Sequence, residues 1–248
     1  MPTTVSGLGV ELAVVERGRG PSVVLVHGMA DDAAGWTATV EALAGEARVI
    51  AYDRRGYGAS QAPEPYGTTT VSEQAEDAAA LVRGLDAAPA IICGRDLGAL
   101  VCLDVAKRHR PTVRALALID PPLFAFVPAA TEALAEERQA LEGWLRDHGP
   151  AGAVERWLGT RNAGADRVAR ARAAAGAFFA DYGALATWPV RRRDLRALDV
   201  PAAVLDSPGA PEHQRQASAA LVRLLPEAEP GSADDVARAL RGLLARTG

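Results

Sequence analysis

Five short, largely apolar runs set the strongest limit on what this chain can fold into. They are VVLV (Val23 to Val26), RVIAY (Arg48 to Tyr52), AIIC (Ala90 to Cys93), ALALI (Ala115 to Ile119) and AAVL (Ala202 to Leu205). Each ends at a residue suited to a turn or a site: His27-Gly28, Asp53, Gly94, Asp120 and Asp206. Runs this short and this apolar do not alternate as a half-exposed strand would. They fit parallel strands covered on both faces. Helical patterns fill the gaps, so an α/β chain with a mostly parallel, doubly wound sheet is expected. In such sheets ligands gather beyond the carboxyl ends of the strands. The loops that start at His27, Asp53, Gly94, Asp120 and Asp206 therefore share one rim.

Local signals place the rest. The first 16 residues hold two strand candidates around Gly7-Leu8-Gly9, a hairpin. Thr70-Val71-Ser72-Glu73 has capping-box spacing ahead of a helical pattern from Ala75 to Leu85. Ser232 starts a closing helix, Ala233 to Ala245. Between Leu123 and Val190 the alternation stops and an Ala/Arg/Glu-rich helical stretch takes over, broken at Gly149-Pro150 and near Asn162 to Gly164. The expected organisation is a core of residues 1–122 and 191–248 with a helical cap, 123–190, over the rim. Trp144, Trp157, Phe178, Phe179, Tyr182 and Trp188 lie in or beside that stretch. Individually, each reads more readily as core than as ligand contact.

Of 248 residues, 49% are hydrophobic, enough for one sizeable core. The net charge of −4 comes with no basic stripe interleaved with aromatics, so no nucleic-acid partner is expected. Arg191-Arg192-Arg193 is followed at once by Asp194 and reads as a solvated connection. No charged and apolar leader precedes the first strands, and no apolar run approaches the roughly 18 residues of a membrane helix. A cytoplasmic chain acting on a small molecule, with no membrane partner, is the expectation. Cys93 and Cys102 lack metal-site spacing and read as buried hydrophobes, and no metal or cofactor is expected.

The stretch CGRDLGA (Cys93 to Ala99) carries the chemistry. A buried strand turns sharply into a helix, and Asp96 stands at the apex. The helix N-terminus behind it favours an ionised carboxylate. Gly94 and Gly98 on either side leave room for a ligand. The plainer alternative is an aspartate that merely caps the helix from Leu97.

In this layout the chain resembles the α/β-hydrolase fold family. VVLVHG (Val23 to Gly28) is similar to the strand and turn that supply an oxyanion-hole amide in that family. VIAYDRRGYGAS (Val49 to Ser60) is similar to its D-x-R-G-x-G-x-S turn, CGRDLGA to its nucleophile elbow, RALALIDPP (Arg114 to Pro122) to the strand entering the cap, and VPAAVL (Val200 to Leu205) to the strand before the acid loop. An aspartate at the elbow resembles the haloalkane dehalogenase and epoxide hydrolase branches. There the carboxylate attacks carbon and histidine-activated water breaks the ester.

The resemblance implies a histidine after the last strand, but LLPEAEPGSADDVARAL (Leu224 to Leu240) contains none. Pro226 to Pro230 leaves little room for a last strand plus a catalytic loop, and Ala210 falls where the family carries its acid. Of the four histidines, His109 lies about 20 Å along the helix from Asp96, and His148 ends a cap helix. His27, in the turn, usually bonds backbone. His213, in the acid loop, is the candidate relocated base. The remaining candidates for the oxyanion and substrate side are His27 itself, Met29, Leu97, Trp36, Tyr182 and Trp188. Arg95 is expected to pack behind the elbow, Arg55 to be structural, and Asp31 and Asp32 to start a helix ahead of Trp36.

Three readings follow. Asp96 is a general acid or base without a complete triad, in a cofactor-free isomerase, lyase, dehydratase or cyclase. Alternatively it is the nucleophile of an epoxide hydrolase or dehalogenase with a relocated histidine. In the third reading the chain only binds a small molecule. The sequence does not choose an oligomeric state.

Overall fold

The computed structural model describes residues 3–128 and 130–248. One sheet of eight strands runs through it in the order β1-β2-β4-β3-β5-β6-β7-β8. The hairpin is present: β1 (Thr3–Ser6) pairs antiparallel with β2 (Glu11–Arg17), which pairs antiparallel with β4 (Arg48–Tyr52). All remaining pairs are parallel, among β3 (Ser22–Val26), β4, β5 (Ala90–Arg95), β6 (Val113–Ile119), β7 (Ala202–Asp206) and β8 (Ala228–Ser232). All five apolar runs are strands.

Their two faces feed two cores, because successive side chains point to opposite sides. Val23 and Leu25 pack with Val40 of α1 (Thr37–Leu43) and Leu240 and Leu243 of α9 (Val236–Thr247). Val24 and Val26 pack on the other face with Leu81 of α2 (Val71–Gly84), Leu100 of α3 (Leu97–Arg108) and Leu221 of α8 (Glu212–Leu224). The Thr70–Glu73 capping box forms in full at the start of α2. Cys93 and Cys102 are both buried and free, one in each core.

Between β6 and β7 lie the inserted helices: α4 (Ala130–Gly159), α5 (Ala165–Ala173), α6 (Ala175–Leu185) and α7 (Arg192–Arg196). Both expected breaks are there. Gly149 takes φ 67° and ψ 178° and splits α4 into two helices, and Asn162, at φ 52°, precedes Gly164, the cap residue of α5. The last strand differs from the sequence reading. β8 forms all the same, starting inside the Pro226 to Pro230 stretch expected to leave little room for a strand plus a catalytic loop and running on to Ser232, and one 3-10 turn (Ala233–Asp235), capped by Ser232, leads straight into α9. Its AEPGS sequence has no apolar alternation because it is an edge strand with four of its five residues exposed. No described helix is long and apolar enough to cross a membrane.

Candidate active site at the β5–α3 turn

Asp96 adopts φ 52° and ψ −126°, a conformation that few side-chain-bearing residues occupy. Close packing holds it there. A Cβ on Gly94 would stand 2.2 Å from the Gly98 carbonyl oxygen, and one on Gly98 would stand 2.5 Å from that of Val26. Only glycine lets strand, turn and helix approach so closely. The Asp96 N–H donates to the Ile119 carbonyl at 2.9 Å, fixing the turn to β6.

Asp96 stands at the helix cap position, but its side chain makes no capping hydrogen bond. Instead Oδ2 accepts the Met29 N–H at 3.1 Å. The residue is half-buried. Burial pushes the carboxyl up to about 6. The Met29 N–H and the guanidinium groups of Arg54 and Arg161 oppose that rise, and the Asp181 carboxylate adds to it. The helix N-terminus therefore does not keep this acid in the ordinary carboxylate range, as the sequence had suggested.

Below the turn lies a buried polar network that the sequence reading missed. All five N–H donors of Arg54 are used. Nε bonds the His27 carbonyl at 2.9 Å, Nη1 bonds Gln74 Oε1 and Asp181 Oδ1, and Nη2 bonds the Gly28 carbonyl at 2.9 Å and Asp181 Oδ2 at 2.8 Å. Tyr57 and Gln74 also donate to Asp181, at 2.7 Å each. Asp181 belongs to α6, so this network joins the insertion to the loop after β4. Two signals for it stood in the sequence: the doubled arginine of Asp53-Arg54-Arg55-Gly56, and one acid isolated in the apolar run AFFADY. Arg55 is structural, as expected, and pairs with Asp77 at 2.7 Å.

Several candidates sit elsewhere. His27 is fully engaged with backbone: its Nδ1–H donates to the Gly28 carbonyl at 2.8 Å, and Nε2 accepts the Arg54 N–H at 2.9 Å. Burial first, then the Arg54 charge, holds its pKa well below the usual histidine range, so the ring is neutral and has no free nitrogen for a substrate. Trp36 is a correction: it lies in the core between the sheet and α1 and α9, under the Arg95 guanidinium at 4.9 Å. Arg95 thus packs behind the elbow. Trp188 is a second correction: its indole N–H bonds Asp104 on α3 at 3.0 Å, two turns along the helix from Asp96, and anchors the insertion. A hydrophobic pattern marks such side chains for burial without saying on which face.

His213 opens α8 and packs edge-on against Phe124, with ring centroids 5.5 Å apart. Among the described residues no histidine hydrogen-bonds to Asp96. His109 bonds Glu76 at 3.0 Å, away from the rim. Met29 and Leu97 flank Asp96, and the Met29 N–H is spent on the carboxylate itself. Leu97 is the first residue of α3, where backbone N–H groups lack helical acceptors. Tyr182 is half-buried and packs near Phe178, which in turn packs against Trp157. Asp32 caps the turn before Trp36 and pairs with Arg170 of α5 at 2.6 Å. Open depressions of about 460 and 710 Å³ lie on the outer side of α4 and between α4 and α5, and Asp96 lines neither. Among the described residues no cluster of three or more metal-ligating side chains occurs.

Comparison with known proteins agrees with this architecture. Residues 93–99 of the turn fall in a stretch of the chain, 21–154, that matches a family described as alpha/beta hydrolase fold. The bifunctional epoxide hydrolase 2 of Sus scrofa is 33% identical over 122 residues, which is 49% of this chain but only 21% of that protein. The chain thus spans about a fifth of that relative. Among solved structures, an alpha/beta hydrolase from Sphaerobacter thermophilus superposes with a TM-score of 0.79 at 25% identity, covering 98% of this chain and all of that one. A thermophilic esterase from Thermogutta terrifontis, solved with malate bound, gives 0.81 at 25% identity, covering 100% and 99%. The family match extends over more than half the sequence, and the chain belongs to the alpha/beta hydrolase fold family.

Proposed function

We propose that this protein transfers protons to and from an apolar small molecule, with Asp96 as general acid and base and residues 123–190 as a cap over the rim. One observation carries this reading. The elbow carboxylate accepts a single backbone N–H, burial pushes it up to about 6, and no imidazole hydrogen-bonds to it among the described residues. A general base works best when its pKa lies close to the working pH. A nucleophilic carboxylate needs a second group to activate the water that frees it. The Leu97 N–H, at the first residue of α3, has no helical acceptor and suits a developing enolate or alkoxide, while the Met29 N–H stays on the carboxylate. Reaction classes of this kind are isomerase, lyase, dehydratase and cyclase, and no cofactor enters the scheme.

The second reading, hydrolysis through an ester on Asp96, is favoured by the named activity of the Sus scrofa relative. One experiment separates the two. The full chain is incubated in H2(18)O with styrene oxide and 1-bromobutane, and its mass is read intact and after digestion. Separately, α-proton exchange of 2-tetralone is followed in D2O. Proton transfer predicts exchange that Asp96→Asn abolishes, with no mass gain at Asp96. An ester on Asp96, or 18O in its carboxylate, establishes the covalent route instead. Saturable binding of these probes with neither reaction would leave a binding protein.

A further inference from the structure

The bend that carries the Met29 N–H contains a strained residue. Ala30 has φ +51°, in the left-handed region where a Cβ crowds the following carbonyl oxygen. Alanine stays there only when its surroundings hold it. The surroundings here come from the insertion. Arg167, on α5, donates from Nε to the Ala30 carbonyl at 3.0 Å and from Nη2 to the Met29 carbonyl at 3.2 Å. One planar fork thus grips both carbonyls of the bend. On the other side, the Gly28 carbonyl receives Arg54 Nη2 and His27 Nδ1–H. With three successive carbonyls drawn onto these donors, the Met29 N–H is left facing Asp96 Oδ2.

We propose that Arg167 is a positioning residue, through which α5 holds the Met29–Ala30 bend and so keeps the Met29 N–H on the Asp96 carboxylate. The docking of the insertion is then felt at the rim through one backbone hydrogen bond. The inference rests on the reading above only in taking Asp96 as the working group. The natural control is Arg170 on the same helix, which pairs with the Asp32 side chain at 2.6 Å and grips no carbonyl of the bend. The charged groups around the site are Arg54 from the β4 loop and Arg161 and Asp181 from the insertion, near Asp96, with Asp31 near Arg167; the neutral His27 ring is the other titratable group facing Arg167.

The test reads the carboxyl itself, not turnover, so it stands or falls apart from the reaction assigned above. The full chain is labelled with 13C-aspartate, and the Asp96 signal, assigned with Asp96→Asn, is titrated by NMR. Loss of the Met29 bond removes a group that favours the ionised form, so Arg167→Met is expected to raise the Asp96 pKa by about half to one unit. Arg167→Lys keeps the charge but not the fork and is expected to shift most of the same way. Arg170→Met is expected to titrate as wild type. If Arg167→Met does not fold, Arg167→Gln takes its place. An unchanged Asp96 titration in the Met or Gln variant, or a Lys variant indistinguishable from wild type, overturns the proposal and leaves Arg167 as a docking contact or a bulk charge.

Discussion

At the scale of single residues, Asp96 combines a rare backbone conformation with a carboxyl held near 6 by burial. Its folded pKa lies above the unfolded value of about 4, so the native state binds the extra proton between those values. The resulting stability is present below about pH 4 and is lost as pH rises through about 6. Asp96→Asn removes that dependence. It should therefore be more stable than wild type at pH 8, by about 1–3 kcal/mol, with the gain vanishing near pH 4. Urea midpoints at the two pH values check this. Asp96 itself was legible because glycines bracket it at the end of an apolar run. Its partner was not, since the Met29 N–H is a backbone group whose direction depends on contacts made 138 residues away in sequence by Arg167. Trp36 and Trp188 were misplaced for a related reason: an indole signals burial but not the side of the sheet on which it is buried.

At the scale of elements, the Arg54–Asp181 pair ties α6 to the loop after β4, and both side chains are essentially inaccessible. Removing one partner leaves a charge in the interior without compensation. Arg54→Met and Asp181→Leu should each cost about 3–5 kcal/mol, and the double variant should recover a large part of that sum. A double-mutant cycle by urea unfolding measures the coupling. The parallel strands were read correctly because strands buried on both faces announce themselves by composition. β8 was not, because Glu229, Pro230 and Gly231 occupy an exposed edge where pairing to β7 alone makes the strand. The helices of the insertion were visible, with both breaks, but nothing in their sequence stated which helix face meets the rim.

At the scale of the whole molecule, the insertion is bonded into the core at several places, among them Asp181 to Arg54, Arg167 and Arg170 to the loop after β3, and Trp188 to α3. Its apolar residues Val154, Trp157, Leu158 and Phe178 belong to the same cluster as the α2–α3 side of the sheet. Insertion and core should therefore unfold together. Variants that keep only Trp36, in the opposite core, or only Trp157, in the insertion, are expected to report the same urea midpoint by fluorescence, whereas a separable cap would give two. Cys93 and Cys102 sit within the layers that must part in that single event, and burial raises the Cys93 thiol to about 12. A sulfur that is neither ionised nor reachable gives oxidants and alkylating reagents nothing to attack. The folded protein thus needs no reductant to protect it, and its two sulfurs become vulnerable only at the moment the whole structure is lost.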